Sequence, residues 1–157
     1  MSIEALLAAH EARVALNLLL AVLFGGLIGL EREYDKRPAG FRTHILICVG
    51  AMLFGTIAVL YFPNSDDVSR MWQNIITGIG FLGAGAVFKD EGTVKGLTTA
   101  AGIWTTAAIG LALAAQLYIL AVMAEVIVLV TLYLIRRVER REEMRAENRA
   151  SNTPPKN

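Results

Sequence analysis

Five stretches of this chain carry almost no charge, and each is about as long as a lipid bilayer is thick. They are residues 14–30, 43–62, 71–88, 97–115 and 116–135, each 17 to 20 residues long. Glu125 is the one Asp, Glu, Lys or Arg inside any of them. A helix needs about 20 predominantly apolar residues to cross the hydrocarbon core. Barrel strands alternate apolar and polar residues over about 10 positions, whereas LNLLLAVLFGGLIGL (16–30) is apolar on every face. The expected fold is therefore an all-α integral membrane protein, a bundle of five transmembrane helices.

Composition agrees. Of the 157 residues, 55% are hydrophobic and 18% charged, with a net charge of +1. That balance excludes a disordered chain and a strongly basic nucleic-acid binder. The single cysteine, Cys48, excludes a disulfide scaffold and a multi-cysteine metal site.

The loops orient the bundle. Lys and Arg collect on the cytoplasmic side of a membrane protein. The 31–42 loop has four, the 89–96 loop two and the tail from Arg136 seven. With five crossings these thirteen share one side, and only Arg13 and Arg70 lie on the other. The N terminus is expected outside and the C terminus inside, in the cytoplasmic (inner) membrane of a bacterium. Between the last two spans, ALAAQLY (112–118) has neither Gly nor Pro. A run from 97 to 135 is too long for one crossing, so a tight turn is expected near Gln116. Residues 1–13 form either a helix lying on the outer surface or an extension of the first span. Residues 136–157 read as a charged cytoplasmic tail, partly disordered.

Lipid supplies no hydrophobic drive between helices, so close packing requires small residues. Span 1 offers Gly25 and Gly29, a GxxxG pair. Span 3 offers Gly78, Gly80, Gly83 and Gly85, and Gly96, Thr98, Thr99 and Gly102 lie at the start of span 4. GIGFLG (78–83) also fits the dinucleotide fingerprint GxGxxG, but the strand before it and the acid about 20 residues beyond are missing. So many glycines leave span 3 either continuous or broken. Trp72 is placed near the outer interface, and Cys48 and Trp104 are expected to pack inside. Asn17, Gln73 and Asn74 are candidates for interhelical hydrogen bonds.

Two places could carry chemistry. Glu31 and Arg32 end span 1 and Arg42 and Thr43 open span 2, a cluster at the inner face. Glu31 opposes the helix macrodipole there, so Arg32 or Arg42 is its natural partner. The pair is either a structural clamp or an ion or partner site. Glu125 is costly inside a span unless neutral or paired. It is expected to be protonated, bonded to a threonine or facing water. Asp66 and Asp67 form an outward acidic pair, a weak signal for a cation. No Ser/His/Asp arrangement, HExxH or P-loop is present, and His10 and His44 belong to opposite membrane faces. No enzyme, no cofactor and no metal site is indicated, although magnesium needs few protein ligands.

Four blocks, GLIGLERE (26–33), PAGFRTH (38–44), GIGFLGAG (78–85) and KGLTTAAGIW (95–104), occur in that order. Together they resemble the MgtC/SapB family of bacterial inner-membrane proteins, over about residues 18–112. The positions carrying the likeness are Glu31, Arg32, Ala39, Gly40, Arg42, Thr43, Gly78, Gly80, Gly83, Gly85, Gly96, Leu97, Thr99 and Trp104. The resemblance implies a membrane bundle linked to low-magnesium and acid-stress adaptation and to survival inside host cells. It implies a regulator of other membrane proteins, the ion-motive ATP synthase among proposed targets, more than a proven transporter. Many members carry an ACT-like domain after the last helix. The 22 residues after Ile135 are too few for one, so a short form is expected, and the virulence role does not transfer with it.

Two functions follow as expectations. The first is a non-enzymatic stress protein that modulates other membrane proteins through smooth helix faces. The alternative is a small oligomeric carrier or channel for magnesium ions or protons, using Glu125 and the Glu31/Arg42 cluster. The partners expected are the bilayer, other membrane proteins and further copies of the chain, with no nucleic acid.

Overall fold

A computed structural model of the chain describes residues 3–62, 64–90 and 92–151. Five helices and one short hairpin follow in order: α1 (Ile3–Tyr34), α2 (Phe41–Tyr61), α3 (Ser65–Gly85), β1 (Phe88–Asp90), β2 (Thr93–Lys95), α4 (Leu97–Ala114) and α5 (Tyr118–Ser151). Three helical stretches are long and apolar enough to cross a membrane: His10–Tyr34, Phe41–Tyr61 and Leu97–Ala114. Tyr118–Leu134 is apolar but shorter. In α3, Asp66, Asp67 and Arg70 occupy the first turns, so its apolar part is only the second half.

Several boundaries differ from expectation. Helix α1 runs unbroken from Ile3, so residues 3–13 continue the first span, one of the two readings open for them. The 71–88 stretch splits, because the helix stops at Gly85 and Phe88 begins the hairpin. Through Gly78–Gly83 the helix is continuous. The 136–149 stretch continues α5 as helix up to Ser151, so high charge did not break it. The last six residues of the expected tail lie outside the described part.

The turn near Gln116 is present. Gln116 has φ +60°, Leu117 N–H donates to the Ala112 carbonyl at 2.9 Å and Gln116 N–H to Leu113 at 3.0 Å. That is a Schellman ending with glutamine in the left-handed position. The end of α1 repeats it, with Lys36 at φ +54° and Arg37 N–H donating to Arg32 at 3.0 Å.

The helices alternate in direction. Gly25 lies against His44, Ile45 and Cys48, and Gly29 against Phe41, so α1 and α2 are antiparallel. Gly102 faces His44 and Gly55 faces Ala114, so α4 runs with α2. Gly83 meets Ala100, and Ile76 and Ile79 face the Trp104–Leu111 stretch further along, which makes α3 antiparallel to α4. Asn17 meets Leu113 just before α5 begins and Asp35 reaches Arg136 further along, so α5 runs alongside α1 in the same direction. One end of the bundle therefore gathers the α1–α2 turn, the hairpin and Arg136.

Helix α4 is the centre. Ile103, Ala107, Ile109, Leu111, Leu113 and Ala114 are all buried. They join two apolar clusters, one with α1, α2 and α5 around Ala21, Ile28, Cys48 and Met52, the other with α2 and α3 around Ile47 and Ala51. Asn17 crosses between helices, donating to the Leu113 carbonyl at 3.0 Å. Cys48 is buried in this core. Trp104 is not inside, as it is half exposed on the outer side of α4. Trp72 turns inward, packing against the α2–α4 cluster.

The small residues divide into two groups. A Cβ on Gly25 would lie 2.6 Å from the His44 carbonyl oxygen, one on Gly29 2.7 Å from Phe41 Cα, and one on Gly110 would strike the backbone of Cys48. Those glycines let α1, α2 and α4 touch backbone to backbone. By contrast, a Cβ on Gly78, Gly80 or Gly85 meets nothing within 4 Å. Gly25→Ala and Gly110→Ala should each lower thermal stability in detergent by about 1–3 kcal/mol, the scale of overpacking. Gly78→Ala and Gly80→Ala should leave it unchanged or raise it, by up to about 1 kcal/mol each from helix propensity. A melting series on the four variants checks the contrast.

Candidate functional site

The site at the gathered end is built from the last turn of α1. The α1 register turns Arg32 inward, and its side chain is only 2% exposed. A buried guanidinium requires acceptors. Its Nε donates to Glu31 Oε2 at 2.5 Å, and an Nη lies 3.7 Å from Asp35 Oδ2. Asp35 in turn accepts from Arg136 Nε at 3.0 Å, and Arg136 stacks over the Tyr34 ring at 4.3 Å. The chain of charges Glu31–Arg32–Asp35–Arg136 thus clamps the end of α1 to α5.

A neighbouring carboxylate closes the turn. Glu33 Oε2 accepts the Phe41 N–H at 2.8 Å and holds the start of α2, which has no side-chain cap of its own. At Gly40, a Cβ would lie 2.9 Å from that carboxylate, so glycine leaves it room. Behind the turn sits His44, fully buried, with Nδ1 3.0 Å from the Gly40 carbonyl oxygen. Its Nε2 points towards α4, where a Cβ on Gly102 would stand 3.6 Å away, and has no protein partner. Glu31 Oε1 is also buried and unpartnered.

Of the expected cluster, Glu31 and Arg32 come together, whereas Arg42 and Thr43 do not join them. Both of the latter are exposed and line the mouth of a groove between α2 and α3. The partner of Glu31 is therefore Arg32 and not Arg42. Gly96 takes φ +89° directly against the Ala86 carbonyl, a place that admits no Cβ. Thr99 is buried, and Thr98 is exposed. Asp35, Arg136, Glu33 and the inward His44 complete the site beyond the residues singled out from sequence. The signals for the first two were present: Asp35 is three residues from Arg32, and Arg136 is the first charge after the last apolar run on the same side.

Glu125 lies elsewhere, within the bundle. Its side chain is 4% exposed and both carboxyl oxygens lack a protein partner. Of the three alternatives for it, the threonine bond does not form among the described residues, since Thr106 donates to Gly102 and Thr131 to Ile127 in their own helices. No group of three His, Cys, Asp or Glu able to hold a metal occurs among the described residues.

Removing Arg32 would leave the half-buried Glu31 without its cation, whereas Asp35 would keep Arg136. Arg32→Gln should cost about 3–5 kcal/mol, the usual loss when half of a buried ionic pair is deleted. Arg42→Gln, at an exposed position, should cost under about 1 kcal/mol. Unfolding in detergent, followed by helical signal, compares the two.

Comparison with known proteins places this arrangement. The sequence profile of the MgtC family matches residues 18–141. The chain is 40% identical over 143 residues to the protein MgtC of Brucella abortus (strain 2308), covering 91% of this chain and 60% of that one. It is 36% identical over 134 residues to the putative magnesium transporter YhiD of Escherichia coli (strain K12), covering 81% of this chain and 62% of that one. To the protein MgtC of Salmonella typhimurium (strain LT2) it is 40% identical over 126 residues, covering 80% and 54%. The chain spans about 60% of the length of the curated relatives it matches. No solved structure matches it. With the profile running from the middle of α1 into the charged part of α5, the chain belongs to the MgtC family.

Proposed function

We propose that this chain crosses the bacterial inner membrane five times, with its N terminus outside and its C terminus inside, and acts without catalysing a reaction. On this reading it serves adaptation to low magnesium or acid stress by binding and modulating another membrane protein. The alternating helix directions support the topology, because they bring Arg32, Arg42, Lys89, Lys95 and Arg136 to one end. The observation that carries the functional reading is the uncovered side of α3. Thr77, Gly80, Phe81 and Ala84 are all exposed, with Phe81 79% accessible. A smooth helix face with no neighbour among the described residues suits close approach by another helix in lipid.

A second reading has one observation in its favour. Glu125, buried with neither oxygen partnered, is the kind of intramembrane acid found on ion and proton paths. The name of the Escherichia coli relative, a putative magnesium transporter, points the same way for that protein.

Two measurements separate the readings. Protein in sealed liposomes, loaded with magnesium- and proton-sensitive dyes, should give no flux above empty vesicles across pH and membrane potential. Flux that Glu125→Gln or Glu31→Gln abolishes would establish transport instead. A photo-cross-linker in place of Phe81 should capture a second membrane polypeptide in cells starved of magnesium, and Gly80→Leu should reduce that capture. Adducts only with further copies of the chain would count against modulation of a different protein.

A further inference from the structure

Between α2 and α3 lies a groove of about 1270 Å³, open along its length. One wall is a stripe of α2: Arg42, Thr43, Leu46, Gly50, Phe54 and Phe62. The other is the facing stripe of α3 from Asp67 to Leu82, and Ile103 of α4 belongs to the lining. From 42 to 62 the α2 wall rises about 30 Å, the thickness of a bilayer's hydrocarbon core. Near mid-depth each wall carries a glycine, Gly50 and Gly78, and a Cβ on either meets nothing within 4 Å. The space is therefore real at the point where the two helices could most easily have closed.

The two ends differ in charge. At the outer end Arg70 is accompanied by Asp67, which leaves no net charge. At the other end Arg42 stands without a carboxylate: among the described residues none pairs with it, whereas Arg32 and Arg136 are both engaged. Beside it are the Thr43 hydroxyl and the first turn of a 21-residue helix, of whose leading N–H groups that of Phe41 is taken by Glu33. Helix N-termini favour anions. The groove thus presents an apolar trough with a cation at each mouth, of which only Arg42 has no carboxylate beside it in the lining.

We propose that the α2–α3 groove binds an anionic phospholipid of the leaflet at the Arg42 end, its phosphate at Arg42 and Thr43 and an acyl chain along Leu46, Gly50 and Gly78. Charge complementarity selects the occupant. A neutral chain fits the trough but leaves Arg42 unpaired, and a free anion fills the mouth but leaves the trough empty.

Native mass spectrometry of the detergent-purified protein, titrated with dioleoyl phosphatidylglycerol or dioleoyl phosphatidylcholine, tests this. One phosphatidylglycerol should be retained in preference to phosphatidylcholine. Arg42→Gln should weaken it about tenfold, the scale of one charge-assisted hydrogen bond. Gly78→Leu should displace both lipids by filling the trough, and Gly50→Leu does so from the opposite wall, so that a folding defect in either is distinguishable by the other. Lys89→Gln, an exposed cation on the hairpin, should change nothing. The proposal fails if retention is equal for both lipids and indifferent to Arg42→Gln, if both groove-filling variants bind as the parent does, or if inorganic phosphate competes as well as the lipid. A polypeptide that occupies the groove in place of lipid would also overturn it.

Discussion

Everything in this bundle depends on how closely three backbones approach. In lipid a buried leucine gains little over one facing an acyl chain, so helices hold together by contact and not by escape from water. Gly25 and Gly29 bring α1 onto α2, and Gly55, Gly102 and Gly110 serve the α2–α4 seam. All but Gly102 place a helix surface where a methyl group would collide. The consequence is a core whose largest fully buried side chains include Arg32, Ile28, Met52, Ile109 and Leu113. Van der Waals attraction is strong only at such separations, and small gaps forfeit much of it.

Close approach brings polar groups into the interior, and the structure meets that cost unequally. Asn17 spends its amide N–H on a carbonyl of α4, and the threonines bond back to their own helices. Arg32 is compensated by two carboxylates, one of which is shared with Arg136 on α5. The buried ionic chain therefore does what apolar packing alone does weakly here: it fixes which end of α5 lies beside which end of α1. Glu125, His44 Nε2 and Glu31 Oε1 remain unsatisfied by protein. Such groups are expensive in a low dielectric, which is why they mark the places where a proton, a water or a bound group would matter most.

How much of this was legible in the sequence follows from the range of each interaction. The uncharged runs and the Lys/Arg asymmetry are properties of single segments facing lipid, and they gave five helices in the observed order. The turn at Gln116 was inferable from length alone, because no residue there advertises a left-handed conformation. The identity of Arg32 as partner to Glu31 was left open against Arg42, because that choice depends on the register of α1 in three dimensions. The inward turn of Trp72 and the outward one of Trp104 were hidden for the same reason. Glycine content misled in one respect. Gly25 and Gly78 look alike as letters, yet one is pressed against a carbonyl and the other borders open space. Only the neighbouring helix decides between those meanings.

That distinction divides the molecule's labour. Helices α1, α2 and α4 lock together through glycines that tolerate no addition, whereas α3 is held chiefly along one side. Its contacts concentrate where Gly83 meets Ala100 and where Ile75, Ile79 and Trp72 reach the α2–α4 cluster. The hairpin and the left-handed Gly96 tie its end to the start of α4. The remaining surface of α3 borders the groove on one flank and nothing on the other. A helix so placed can exchange neighbours without disturbing the locked core, since no glycine on its open faces is used to hold the fold. The open faces of α3 are thereby separate from the packing that holds α4. Among the described residues Gly78, Gly80 and Gly85 leave room at those faces that no neighbour fills.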